Sequence, residues 1–83
     1  DRELQRAQTS LDKALQAGAD EYATEDYFKA EQLLTQAQEY ARQGKVMEAR
    51  RTAVEAKIIA DDAFSKALER QKILEEESER LRR

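Results

Sequence analysis

Across 83 residues the chain contains no proline and only two glycines, Gly18 and Gly44. These are the two residue types that interrupt helices most strongly, so a helix here has few reasons to stop. The remainder is dominated by Ala, Leu, Gln, Glu, Lys and Arg, all good helix formers. Apolar β-branched residues are limited to Val46, Val54, Ile58, Ile59 and Ile73, too few to build a sheet. The expectation is an all-α chain: an antiparallel three-helix bundle with an extended C-terminal third helix. Helix should exceed roughly 80% of residues, with breaks only near 18–24 and at Gly44.

Periodicity places the helices. Leu4, Ala7, Leu11, Ala14 and Leu15 follow the three-four spacing of one helical face, so a first helix is expected over 2–17. Gly18 then sits where a left-handed residue stops a helix. Residues 18–23 form a connection, with Tyr22 folded back as its apolar plug. A second helix begins near Thr24, whose hydroxyl is expected to cap the first turn, with Glu25 and Asp26 favoured by the helix dipole. Ala23 and Phe28 have the spacing of a hydrophobic staple. The core face of this helix reads Tyr27, Ala30, Leu33, Leu34, Ala37 and Ala41, and it ends at Gln43-Gly44. From about Lys45 no breaker appears before Arg83. A wide apolar arc runs from Val46 to Leu68, wide enough to contact two neighbours. Beyond it only Ile73, Leu74 and Leu81 are large and apolar, with Gln71 and Ser78 between them on the seam.

The organisation expected is therefore a bundle over 1–68 and a helical, coiled-coil-like extension over 69–83. Large anchors are few: Leu11, Leu15, Phe28, Leu33, Leu34, Ile58 or Ile59, and Phe64. Burial of Leu11, Leu34 and Phe64 is expected, with Phe64→Ala costing roughly 3–5 kcal/mol if the ring is wholly buried. Alanine is frequent on the inward faces, which permits close helix approach. The extension is expected to rest on the surface pairs Lys72–Glu76, Glu76–Arg80 and Glu79–Arg83. Antiparallel helices should put Arg2 and Arg82 at opposite poles, about 55–60 Å apart.

The chemistry available is narrow. There is no His and no Cys, which removes the usual base, the usual nucleophile pairs and the usual zinc ligands. No glycine-rich phosphate loop is present. Glu75-Glu76-Glu77 point about 100° apart in turn on a helix, so no metal site is expected there. Asp61 and Asp62 fall within the apolar arc, and one should pair with Lys57 or Lys66. Tyr22, Tyr27 and Tyr40 are too dispersed for one aromatic patch. We expect no enzyme activity, no cofactor and no metal. Fifteen basic and 18 acidic residues give a net charge of −3, too balanced for a general nucleic-acid binder. Two surfaces remain as candidates for interaction. Arg42, Lys45, Arg50 and Arg51 cluster around the second turn, where Arg2 is also expected, and could take an anionic lipid or polymer. Leu74 and Leu81 form a seam suited to self-association. No apolar run approaches the ~20 residues that span a bilayer. The chain opens mid-pattern at Asp1-Arg2-Glu3-Leu4, as a fragment or mature form would.

The pattern Gly18-Ala19-Asp20-Glu21-Tyr22-Ala23-Thr24, followed by Ala30, Leu33 or Leu34, Ala37, Gly44, Glu48-Ala49-Arg50, Ala53, Ala56, Ala60 and Ala63, resembles a bacterial envelope family catalogued as domain of unknown function 4398. The resemblance covers roughly Leu4 to Ala67. Thr24 stands where the family often has proline. The resemblance implies a setting in Gram-negative lipoproteins of the periplasm or the periplasmic face of the outer membrane, sometimes ahead of a peptidoglycan-binding domain of the OmpA type. It implies protein or cell-wall partners through neighbouring domains, and a membrane tie only through a lipid anchor outside this chain. It transfers no catalytic residue. Residues 27–60 also resemble a tetratricopeptide hairpin, with Gly44, Ala49 and Ala56 at matching places. Three functions follow as expectations: a structural spacer or adaptor, a peptide-binding helical module, and a self-assembling coiled-coil unit.

Overall fold

A computed structural model describes residues 2–82. Four helices follow in order: α1 (Arg2–Gln16), α2 (Ala19–Tyr22), α3 (Thr24–Arg42) and α4 (Val46–Arg82). About 93% of the described residues are helical and none of them is strand, above the threshold expected. The single-turn α2 occupies the expected connection, so α1, α3 and α4 are the three helices read from the periodicity.

Both glycines stand where the chain turns. Gly18 has φ 83° and Gly44 φ 79°, the left-handed region that side chains resist. The Gly18 amide donates to the Leu15 carbonyl at 2.9 Å and closes α1. A Cβ on Gly18 would also meet the Tyr22 ring at 3.1 Å, so the half-buried Tyr22 does plug this corner, as expected. Thr24 does not cap α3. Ala23 holds the N-cap position, and the Thr24 hydroxyl instead donates back to the carbonyls of Asp20 at 3.0 Å and Glu21 at 3.2 Å. α2 supplies those carbonyls one turn upstream, which turns the hydroxyl from acceptor to donor. The expected staple is absent too: Ala23 is buried but Phe28 is half exposed, edge-on to Tyr27.

Cross-helix contacts fix the direction of each helix. Ser10 meets Asp61, Lys13 lies over Phe64, and the Gln71 side-chain amide donates to the Ala17 carbonyl. These pairs rise together in number, so α1 and α4 are parallel. Asp26 pairs with Lys66 at 2.5 Å while α3 joins the base of α4 through Gln43–Lys45, so α3 is antiparallel to both. α4 packs on both partners, which touch each other less.

The core is a stripe of alanine. Ala49, Ala53, Ala56, Ala60, Ala63 and Ala67 are buried along α4 at alternating steps of four and three, the heptad rhythm of helices packed nearly side by side. Ala7, Leu11 and Ala14 of α1, and Tyr27, Ala30, Leu34 and Ala37 of α3, face it. Ala17, Ala19 and Ala23 close the top. Ser10 is the buried polar residue of the set.

Several expected anchors lie elsewhere. Leu15, Phe28 and Ile58 are about half exposed, Ala41 is exposed, and Leu33, Ile59 and Phe64 are only partly buried. Val46, Met47, Val54 and Leu68 of the apolar arc are exposed as well. Helices that approach on alanine leave little room between them beyond that taken by Leu11, Tyr27 and Leu34, so the other large apolar groups lie at the flanks. The Phe64→Ala cost should therefore fall below the range for full burial.

The register also moves the N-terminal end of α1. Arg2 shares a groove with Lys57 and Asp61, well up α4, and does not reach the α3–α4 turn. Arg2 and Arg82 are thus separated by about 40 Å along the axis rather than 55–60 Å. The molecule tapers from two helices at the base, to three in the middle, to α4 alone at the top. Its extents are 59 × 19 × 14 Å.

Candidate functional site

In the basic cluster read from the sequence, Arg42 and Lys45 each have a local partner. Arg42 is held by Glu39, its Nε 2.9 Å from one carboxylate oxygen, and Gln43 donates to the same carboxylate. Bonding to Arg42 first, then Gln43, holds the Glu39 carboxyl below its ordinary value. Lys45 lies with Nζ 6.0 Å from the centre of the Tyr40 ring. Arg50 and Arg51 are exposed on the first turns of α4. Since Arg2 is a separate neighbour of Lys57, no cation from α1 joins them.

Leu74 and Leu81 lie on one stripe of α4, seven residues apart. The stripe continues the alanine seam: after Ala67 come Gln71, Leu74, Ser78 and Leu81 at the same alternating steps. Burial ends at Gln71. Leu74 is 36% exposed and Leu81 87%, so the seam emerges from the bundle as it ascends. Ile73, at 37%, borders a shallow groove with Tyr22 and Arg70. Among the described residues no ion pair joins Lys72 to Glu76 or Glu76 to Arg80. The expected Glu79–Arg83 pair lies outside the described residues. Among the described residues no group of three carboxylates converges on a metal position, and no helix is long and apolar enough to cross a membrane.

A different surface is brought together by the fold. α1 and α4 flank an open groove of about 770 Å³. One wall is the α1 stripe Arg2, Arg6, Thr9 and Lys13, and the other is Lys57, Asp61, Phe64 and Ser65. Lys57 pairs with Asp61 at 2.7 Å. Partial burial opposes the Asp61 charge. Hydrogen bonds from Lys57 and Ser10 and the positive charges of Lys57 and Lys13 outweigh it, so the carboxyl is held below its ordinary value. Lys13 Nζ stands 5.3 Å from the centre of the Phe64 ring, a cation–π contact. From the sequence alone, Arg6, Thr9 and Lys13 of α1 are not connected with Lys57 of α4. The signal that could have joined them was the i, i+4, i+7, i+11 spacing of Arg2, Arg6, Thr9 and Lys13, together with a parallel α1–α4 pairing.

Taken together, the alanine seam, the two left-handed glycine corners and the single-helix extension define a small all-α bundle domain. Within that class the chain belongs to the family described as "Domain of unknown function (DUF4398)", which it matches over residues 2–81. No curated protein and no solved structure matches it.

Proposed function

We propose that this domain is a non-catalytic structural spacer or adaptor of a bacterial cell-envelope protein. The observation that carries the reading is α4, unbroken for 37 residues, stiffened along its lower part by two shorter helices and alone above them. A continuous helix holds a fixed span, whereas a flexible chain of equal length has a mean span that grows only as the square root of residue number. The residues also supply neither an imidazole nor a thiol. The envelope setting rests on the family resemblance; in that setting the domain would hold an anchored neighbour and a wall-facing neighbour apart in the periplasm.

The test is a pulsed electron-spin distance measurement between labels at Arg2 and Arg82. A narrow distribution centred at about 40 Å is expected. A broad distribution, or one centred under about 30 Å, overturns the spacer reading because α4 would then be broken or folded back.

A further inference from the structure

The groove between α1 and α4 concentrates positive charge on a molecule whose net charge is −3. Its lining holds four cations, Arg2, Arg6, Lys13 and Lys57, against the single carboxylate of Asp61. That carboxylate is itself occupied by Lys57 and Ser10. On α1 the cations recur on one face from Arg2 to Lys13, a straight run of about 17 Å.

We propose that this groove is a binding site for a linear anionic glycan, a chain of sugar rings carrying carboxylate or phosphate groups. The groove's own chemistry selects that class. It is shallow and open, so it cannot enclose most of a small molecule, as pockets for such ligands do. A long chain lying across it needs no enclosure. Gln5, Thr9 and Ser65 stand between the cations and offer neutral donors and acceptors to ring hydroxyls. Phe64 presents a half-buried apolar plane, and the C–H face of a pyranose can lie against such a ring. The Lys13 ammonium lies over that ring at 5.3 Å from its centre, so an acidic sugar unit that pairs with the ammonium meets the part of the ring that Lys13 leaves uncovered. Single-stranded nucleic acid fits less well, since it stacks on successive aromatic platforms and Phe64 is the one aromatic ring in the lining. An acidic protein helix fits less well too, because it anchors through several apolar side chains at helical spacing.

The experiment measures fluorescence anisotropy of a labelled eight-unit oligogalacturonate titrated with the whole chain at low and moderate salt. Maltooctaose, an oligothymidylate and a poly-glutamate peptide serve as competitors. Oligogalacturonate should bind, weakening as salt rises, and maltooctaose should not compete. The double variant Arg6→Gln/Lys13→Gln should weaken binding about tenfold through loss of two charge-assisted contacts. Arg50→Gln/Arg51→Gln should change it less than about twofold, since those residues lie outside the groove and only long-range screened attraction is lost. All four positions are exposed, and unchanged circular dichroism confirms that each variant is folded. Three results overturn the assignment: no binding by the wild type, equal weakening by the two double variants, or competition by oligothymidylate or poly-glutamate as strong as that of unlabelled oligogalacturonate.

Discussion

Ala63 and Ile58 sit five residues apart on α4 and invert the usual ranking of apolar side chains. Ala63 has no exposed surface, whereas Ile58 is 56% exposed. Ala63→Leu should therefore destabilise the domain by about 1–3 kcal/mol through overpacking, a large share of a small domain's stability. Ile58→Ala should cost no more than about 1 kcal/mol, because little of its surface is recovered from water. Paired thermal melts check the ordering, and a larger loss at Ile58 would mean that the helices are not seated on alanine. The inward alanines were legible in the sequence as a pattern. Their exclusive hold on the buried face of α4 was not, because hydropathy ranks isoleucine and phenylalanine above alanine and takes no account of how closely two backbones approach. A second residue-scale prediction concerns Asp61. Its carboxyl is held below the ordinary value, so it contributes stability above the unfolded carboxylate range, and that contribution is lost as pH falls through the folded value. A melt series should show stability falling below about pH 4, with the wild type losing more than Asp61→Asn over that interval. Parallel curves for the two proteins would show that the Lys57–Asp61–Ser10 arrangement does not stabilise the fold.

The elements themselves were legible because glycine stops and helical periodicity are local signals, and α3 starts at Thr24 although Thr24 does not cap it. α1, α3 and α4 fall within a residue or two of the boundaries read from Gly18, Thr24 and Gly44. Relative register was not legible, since no single-helix pattern says how far up α4 the helix α1 begins. That shift is what removed Arg2 from the Arg42–Arg51 cluster and created the groove with Lys57. The upper part of α4 shows the same distinction between pattern and pairing. Gln71, Leu74, Ser78 and Leu81 keep the heptad rhythm, which by itself suits a coiled-coil partner. Two copies meet an obstacle in either orientation. In a parallel pair the seam below Gln71 is already covered by α1 and α3 of each copy. In an antiparallel pair the symmetry axis falls between Leu74 and Ser78, bringing Glu75 and Glu77 against their own counterparts. Leucines opposite glutamine and serine offer little to offset that repulsion. Light scattering should give a monomer mass at micromolar concentration, and Glu75→Lys/Glu77→Lys should not disturb the bundle. A wild-type dimer would show that the seam finds a pairing without this clash.

At the scale of the whole molecule, shape follows from unequal helix lengths on one alanine stripe. The taper from two helices to three to one makes the base and the apex chemically different: exposed Val46, Met47 and Val54 at one end, a charged single helix at the other. The parallel register of α1 and α4 has a mechanical meaning. Suppose tension is applied through Arg2 and Arg82. The pull on Arg2 drags α1 toward the base while the pull on Arg82 draws α4 the other way. The seam between them is then loaded in shear, along its length, so Ala7, Leu11 and Ala14 must all slip past α4 together instead of peeling off one turn at a time. The segment of α4 below Lys57, with the end of α3 that packs on it, lies outside the line of force. A domain built this way resists stretching most strongly across its middle and leaves its base unstrained.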